Sequence, residues 1–244
     1  MPDFLFDTSN KFIVFSSMHW NPILIVSLFM IASIVLAKFF LSDRGKVLFG
    51  TALAIIPPLC VLSRIMFTSM EGTFTVQEEL PFHLCRLLAF MLPFVIYYKN
   101  KKWFGITYFF TMVGTLQALL TPDLPQAAPH YSYASYWILH GVLIYLPIYC
   151  IVVFGFKINR KDFFNAVIAG NIYLVLTLLV NFAIGSNYGY TNHKPPSASL
   201  LDFLGPWPWY IISVEVLSIL LFVLAWMPFW FRGKESEKNN DVVQ

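Results

Sequence analysis

The sequence predicts an all-α integral membrane bundle of seven transmembrane helices, with the N-terminus outside and the C-terminus in the cytoplasm. Three observations carry that reading. Of 244 residues, 58% are hydrophobic and only 12% charged, with 25 Phe, which leaves far too little polar surface for a soluble chain of this length. Apolar runs of about 20 residues, enough to cross a bilayer at helical rise, occur near 21–41, 47–70, 80–98, 103–120, 134–156, 163–185 and 207–231. The third observation is where the charge falls. Lys38, Arg44 and Lys46 lie at or after the end of the first run, Lys99, Lys101 and Lys102 follow the third, Lys157, Arg160 and Lys161 the fifth, and Arg232, Lys234 and Lys238 the seventh. The opposite loops hold only Lys11 and Lys194, and such asymmetry places the basic loops in the cytoplasm. A net charge of +3 distributed in this way gives no reason to expect a nucleic-acid partner; the lipid bilayer is the expected surrounding.

Taken in order, residues 1–20 form an extracytoplasmic N-terminal segment carrying Asp3, Asp7 and Lys11. They lack the basic region and small-residue cleavage site of a signal peptide. Phe12, Phe15 and Trp20 read as an interfacial belt. Residues 21–231 are the seven-helix transmembrane domain, with no internal repeat. The polar residues 232–244 are expected to be a disordered cytoplasmic tail. The turn-forming loops Thr121–Pro125 and Gly185–Pro196 both lie on the outer side, and Tyr188, Tyr190, Trp207 and Trp209 suit interfacial anchoring. Three cysteines, Cys60, Cys85 and Cys150, are too few and scattered for a disulfide framework.

Chemistry concentrates in Glu78-Glu79-Leu80-Pro81-Phe82-His83-Leu84-Cys85-Arg86, at the mouth of the third apolar run. Ionisable side chains there are costly in lipid and mark a site by default. Pro81 fits a first helical turn, which puts Cys85 near the positive end of the helix dipole and beside Arg86, where a thiol ionises more readily. The competing reading is a small apolar filler. Counting residues from the outer helix ends places Arg64, Cys85, His140 and Glu215 in one layer about 8 to 12 Å deep at helical rise. Gln117 and Asn181 lie just above it. One polar pocket opening outward satisfies groups that cannot face lipid. Within it, Arg64, Arg86 and Glu215 are expected to form an ion-pair network, and Arg86 or Lys194 can hold a lipid phosphate. His83, two residues before Cys85 on a helix, would point to another face.

The motifs Leu80-Pro81-Phe82-His83-Leu84-Cys85, Gly114-Thr115-Leu116-Gln117-Ala118-Leu119-Leu120-Thr121-Pro122, Leu139-His140-Gly141, Asn187-Tyr188 with Lys194-Pro195, and Gly205-Pro206-Trp207-Pro208-Trp209-Tyr210 resemble the YwaF and transmembrane protein 164 family of multi-pass membrane proteins. That resemblance spans the third to seventh helices. It implies an integral membrane acyltransferase that moves a fatty acyl chain between membrane phospholipids, the donor and acceptor partners. Cys85 would be the acyl-carrying nucleophile and His140 the assisting base. Beside this, the reading of the residues themselves makes His83, Arg86, Arg64, Gln117, Asn187, Tyr188, Lys194 and Glu215 the candidate substrate-binding or pocket residues, and a bacterial cell (inner) membrane is the expected location.

The residues themselves are compatible with this. Thioester formation needs a thiol, a base and oxyanion donors, and phospholipid ester carbonyls lie near the depth read for Cys85 and His140. No cofactor or metal is expected. His83, Cys85, His130, His140 and His193 share one side, but their spacing matches no zinc signature. The alternatives are an intramembrane lipid hydrolase, differing only in whether water reaches the thioester, and a multi-pass transporter of a small solute. The missing repeat and the apolar cytoplasmic half weigh against the transporter.

Overall fold

The structure is a computed structural model describing residues 3–196 and 199–241, with side chains over 4–196 and 199–230. All regular elements among them are helical. The seven principal helices are α1 (Ser17–Phe40), α2 (Asp43–Glu71), α3 (Leu84–Tyr97), α4 (Lys101–Leu120), α5 (Tyr131–Phe154), α6 (Arg160–Ile184) and α7 (Trp209–Asp241). Six of these are long and apolar enough to cross a membrane, and α3 is an apolar helix of 14 residues. At 1.5 Å per residue, α3 is about 21 Å long, short of the roughly 30 Å hydrocarbon core. The expected tail, 232–244, falls on residues whose side chains lie outside the described set, as do residues 242–244 altogether.

Local chemistry sets the helix ends. Ser16, Ser42, Asn100, His130 and Asn159 each accept a backbone N–H at the start of α1, α2, α4, α5 and α6, satisfying amides that have no intrahelical partner. At the other end, Gly72, Gly155 and Gly185 take left-handed conformations that stop α2, α5 and α6. Connections at one end are tight and carry the basic clusters. At the opposite, loop-rich end lie residues 72–83, 121–130 and 185–208. Helix α1 starts four residues before the expected boundary. The preceding chain pairs with the 121–130 loop through Phe12 N–H to the Pro125 carbonyl and Ala127 N–H to that of Asn10. Phe12 is therefore packed on the rings of His19, Tyr133 and Trp137 and is not a belt residue, whereas Phe15 and Trp20 are exposed.

Helix α2 packs along α5 and α3, α1 along α5, and α4 along α6. Close approach is built on glycine. A Cβ on Gly50 would stand 2.7 Å from the Tyr149 ring, on Gly141 2.5 Å from Val26, and on Gly105 2.6 Å from Asp162, so these backbones meet with no room for a methyl. The core they enclose includes Leu88, Leu92, Ile96, Phe109, Leu143, Leu146 and Tyr149.

Two irregularities interrupt the bundle at the same place. The expected third span, 80–98, begins late. Pro81 lies in a turn outside the helix, and residues 80–83 form the link between a one-turn helix at Val76–Glu79 and α3. Directly opposite, α4 opens into a π turn at Thr111–Thr115. Such turns recur at functional sites.

Candidate active site

The stretch from the one-turn helix at Val76–Glu79 to His83 has backbone groups satisfied by side chains. The Tyr188 hydroxyl donates to the Val76 carbonyl and accepts the Leu80 N–H, at 2.6 and 2.9 Å. The Tyr173 hydroxyl, on α6, donates to the Phe82 carbonyl at 2.9 Å, and Arg86 Nη1 donates to the Glu78 carbonyl at 2.7 Å. Non-helical backbone at membrane depth persists only where it is buried in protein or lines a cavity, and Gln77, Glu78, Glu79 and His83 line one here. Tyr188 is fully buried, so it is a brace and neither an interfacial anchor nor a pocket wall. It is held in turn by Asn181, whose side chain bonds both the N–H and the carbonyl of Tyr188.

This stretch borders a cavity of about 1160 Å³ at the loop-rich end, walled by α2, α3, α4, α5, α6, α7 and the 185–205 loop. Of the residues singled out from the sequence, Arg64, His83, Cys85, Arg86, Gln117, His140, Asn187 and Glu215 line it; Tyr188 and Lys194 do not. Lys194 lies beside the wall, its Nζ 5.7 Å from the centre of the Tyr210 ring.

Cys85 is the second residue of α3, about one turn nearer the positive end of the dipole than a start at Leu80 implied. Among α1–α6, α3 alone has no side-chain cap from the residue before it, so the amides of its first turn have neither an intrahelical partner nor a cap. The Cys85 thiol stands 3.7 Å from the Thr115 hydroxyl, which belongs to the π turn. His140 Nδ1 lies 2.8 Å from the Tyr136 carbonyl one turn earlier on α5. Because a carbonyl only accepts, this contact puts the proton on Nδ1 and leaves the lone pair on Nε2. Tyr136 is itself fixed by donating its hydroxyl to the Ala118 carbonyl at 2.7 Å.

His83 is the residue preceding α3 and not part of it, so the helical-face argument against it fails. Its ring packs on Tyr188 and Tyr190 and borders the same cavity. Cys60, read from sequence as part of an apolar run, also borders the cavity; Cys150 is buried away from it.

The ion-pair network differs from the expected one. Its acidic member is Glu79, almost fully buried, which receives Arg64 Nε and Nη2 at 2.9 and 2.8 Å and Arg86 Nη2 at 3.4 Å. Glu215 instead accepts from Asn171 Nδ2 at 2.8 Å, across α6 and α7. Sequence reasoning quoted Glu79 but gave it no role, because a carboxylate before a helix start carries no depth signal; its partner Arg64 was the available clue. Tyr190 donates to Asp123 Oδ2 at 3.1 Å, and burial, then the Asp123 carboxylate, push its phenol up so that it stays a donor. Among the described residues no three His, Cys, Asp or Glu side chains are grouped to hold a metal ion.

A helical bundle of membrane-length apolar elements around a cavity lined by both polar and apolar side chains defines a multi-pass integral membrane protein. The chain belongs to the TMEM164 family, which it matches over residues 14–226. No curated protein and no solved structure matches it.

Proposed function

We infer that the protein is a cysteine-dependent acyltransferase that takes a fatty acyl chain from a membrane phospholipid onto Cys85 and passes it to a lipid acceptor. The observation that carries the reading is that Cys85, at an uncapped helix start, and His140, with its Nε2 lone pair free, border one cavity. Nε2 of His140 takes the thiol proton as Sγ bonds to the ester carbonyl carbon. The amides of the first turn of α3 face the developing oxyanion, the ester C–O bond breaks, and the proton passes to the departing lysophospholipid oxygen. An acceptor hydroxyl then reverses the sequence at the thioester. Arg64 and Arg86 share the Glu79 carboxylate, and their guanidinium groups on the cavity wall are the donors for the lipid phosphate.

Seven crossings, with 80–83 completing the short third one, put the loop-rich end outside and the basic loops in the cytoplasm. The cavity then opens at the depth of ester carbonyls in the outer leaflet of a bacterial cell membrane. Purified protein incubated with phospholipid labelled in the acyl chain tests this. Label on the protein and on a new lipid is expected; label released only as free fatty acid would make it a hydrolase, and no covalent label at all would refute acyl transfer.

A further inference from the structure

The cavity is larger than the roughly 300–1,000 Å³ of clefts that hold a drug-sized ligand, and its two ends differ. Around Cys85 it carries His83, Arg86, Gln117 and His140, whereas five residues before Thr115 on α4 its walls are Phe110, Phe222 and Val167. Gly170 on α6 completes that apolar end. Unlike Gly50, Gly105 and Gly141, it is not required by packing. A Cβ there would meet only Phe110, at 3.8 and 4.0 Å, an ordinary contact, and no left-handed φ calls for glycine. Glycine inside a helix is less favourable than alanine, and no contact at residue 170 calls for it. What the missing side chain leaves is open space in the cavity opposite the Phe110 ring.

We propose that this apolar end is the acyl-chain site and that Gly170, facing Phe110, sets the longest chain it accepts. The assignment rests on the acyltransferase reading for its chemistry, but its physical content is a hydrocarbon slot of fixed depth. Each methylene that finds apolar wall strengthens binding about fourfold, and a methylene beyond the floor adds nothing. A side chain at residue 170 would enter the slot beside Phe110 and move the floor toward Cys85; trimming Phe110 would move it away.

Binding is measured on Cys85→Ala protein, which removes turnover, by competition of saturated lysophosphatidylcholines of increasing chain length against a fluorescent alkyl phosphocholine. For the unsubstituted floor, affinity should climb about fourfold per methylene and then level off. Gly170→Leu should bring the plateau to shorter chains, Gly170→Ala should do so by less, and Phe110→Ala should carry it to longer ones. A plateau that stays put in all three folded variants overturns the proposal. Should the plateaus move while wild-type protein forms no thioester with any phospholipid, the chain site stands and acyl transfer alone is refuted.

Discussion

At the scale of single residues, the proposed reaction assigns some groups to chemistry and others to holding them. His140→Ala removes the Nε2 lone pair, and thioester formation should slow by about 10² to 10⁴, the usual contribution of a general base. His83→Ala, on the same cavity wall, should cost less, since its ring is packed between Tyr188 and Tyr190 and no contact fixes its proton. Stopped single-turnover labelling measures both, and the reverse ranking would transfer the role of base to His83. Glu79→Gln should act on stability instead. It strips two guanidinium groups of a buried partner, a class of change that costs about 3–5 kcal/mol, toward the lower end because the Arg64 side chain is 36% exposed. Thermal unfolding in detergent reads this loss, and an unchanged melting temperature would show the pair to be energetically idle.

At the scale of elements, the site exists because two helices depart from regularity together. Loss of the first turn of the expected third span brings Cys85 to the start of α3, and the π turn in α4 presents Thr115 to it. Residue type and motif in the sequence pointed to Cys85 and His140, which border one cavity, and apolar runs pointed to the long helices. The sequence left the late start of α3 hidden, because Pro81 is equally at home in a first turn and in the turn before one. It hid the π turn as well, since Thr111–Thr115 has no composition that sets it apart from helix. Glycine contacts between elements make a further prediction. Gly105→Val would drive a side chain into Asp162, where even a Cβ comes within 2.6 Å. Asp162 caps α6 by accepting the Asn159 N–H, so the substitution should cost about 1–3 kcal/mol as overpacking and loosen α4 from α6. Faster hydrogen exchange at the start of α6 would report it, and unaltered exchange would contradict this account of the helix pair.

At the scale of the whole molecule, charge asymmetry and the cavity make linked claims. If the basic loops are cytoplasmic, the cavity is reached from the outer leaflet. In an otherwise cysteine-free chain in intact cells, a membrane-impermeant thiol reagent should modify Asn192→Cys and spare Lys101→Cys, two exposed positions at opposite ends of the bundle. The opposite pattern would turn the molecule over and deliver its substrate from the inner leaflet.

The central claim is that Cys85 carries the acyl chain. The most direct measurement is mass spectrometry of the protein after incubation with phospholipid, with and without hydroxylamine, which cleaves thioesters. The account predicts one acyl adduct on the peptide containing Cys85, removed by hydroxylamine, absent from folded Cys85→Ala and retained in Cys60→Ala. An adduct on Cys60 instead, or lipid product formed at the wild-type rate by Cys85→Ala, would contradict it.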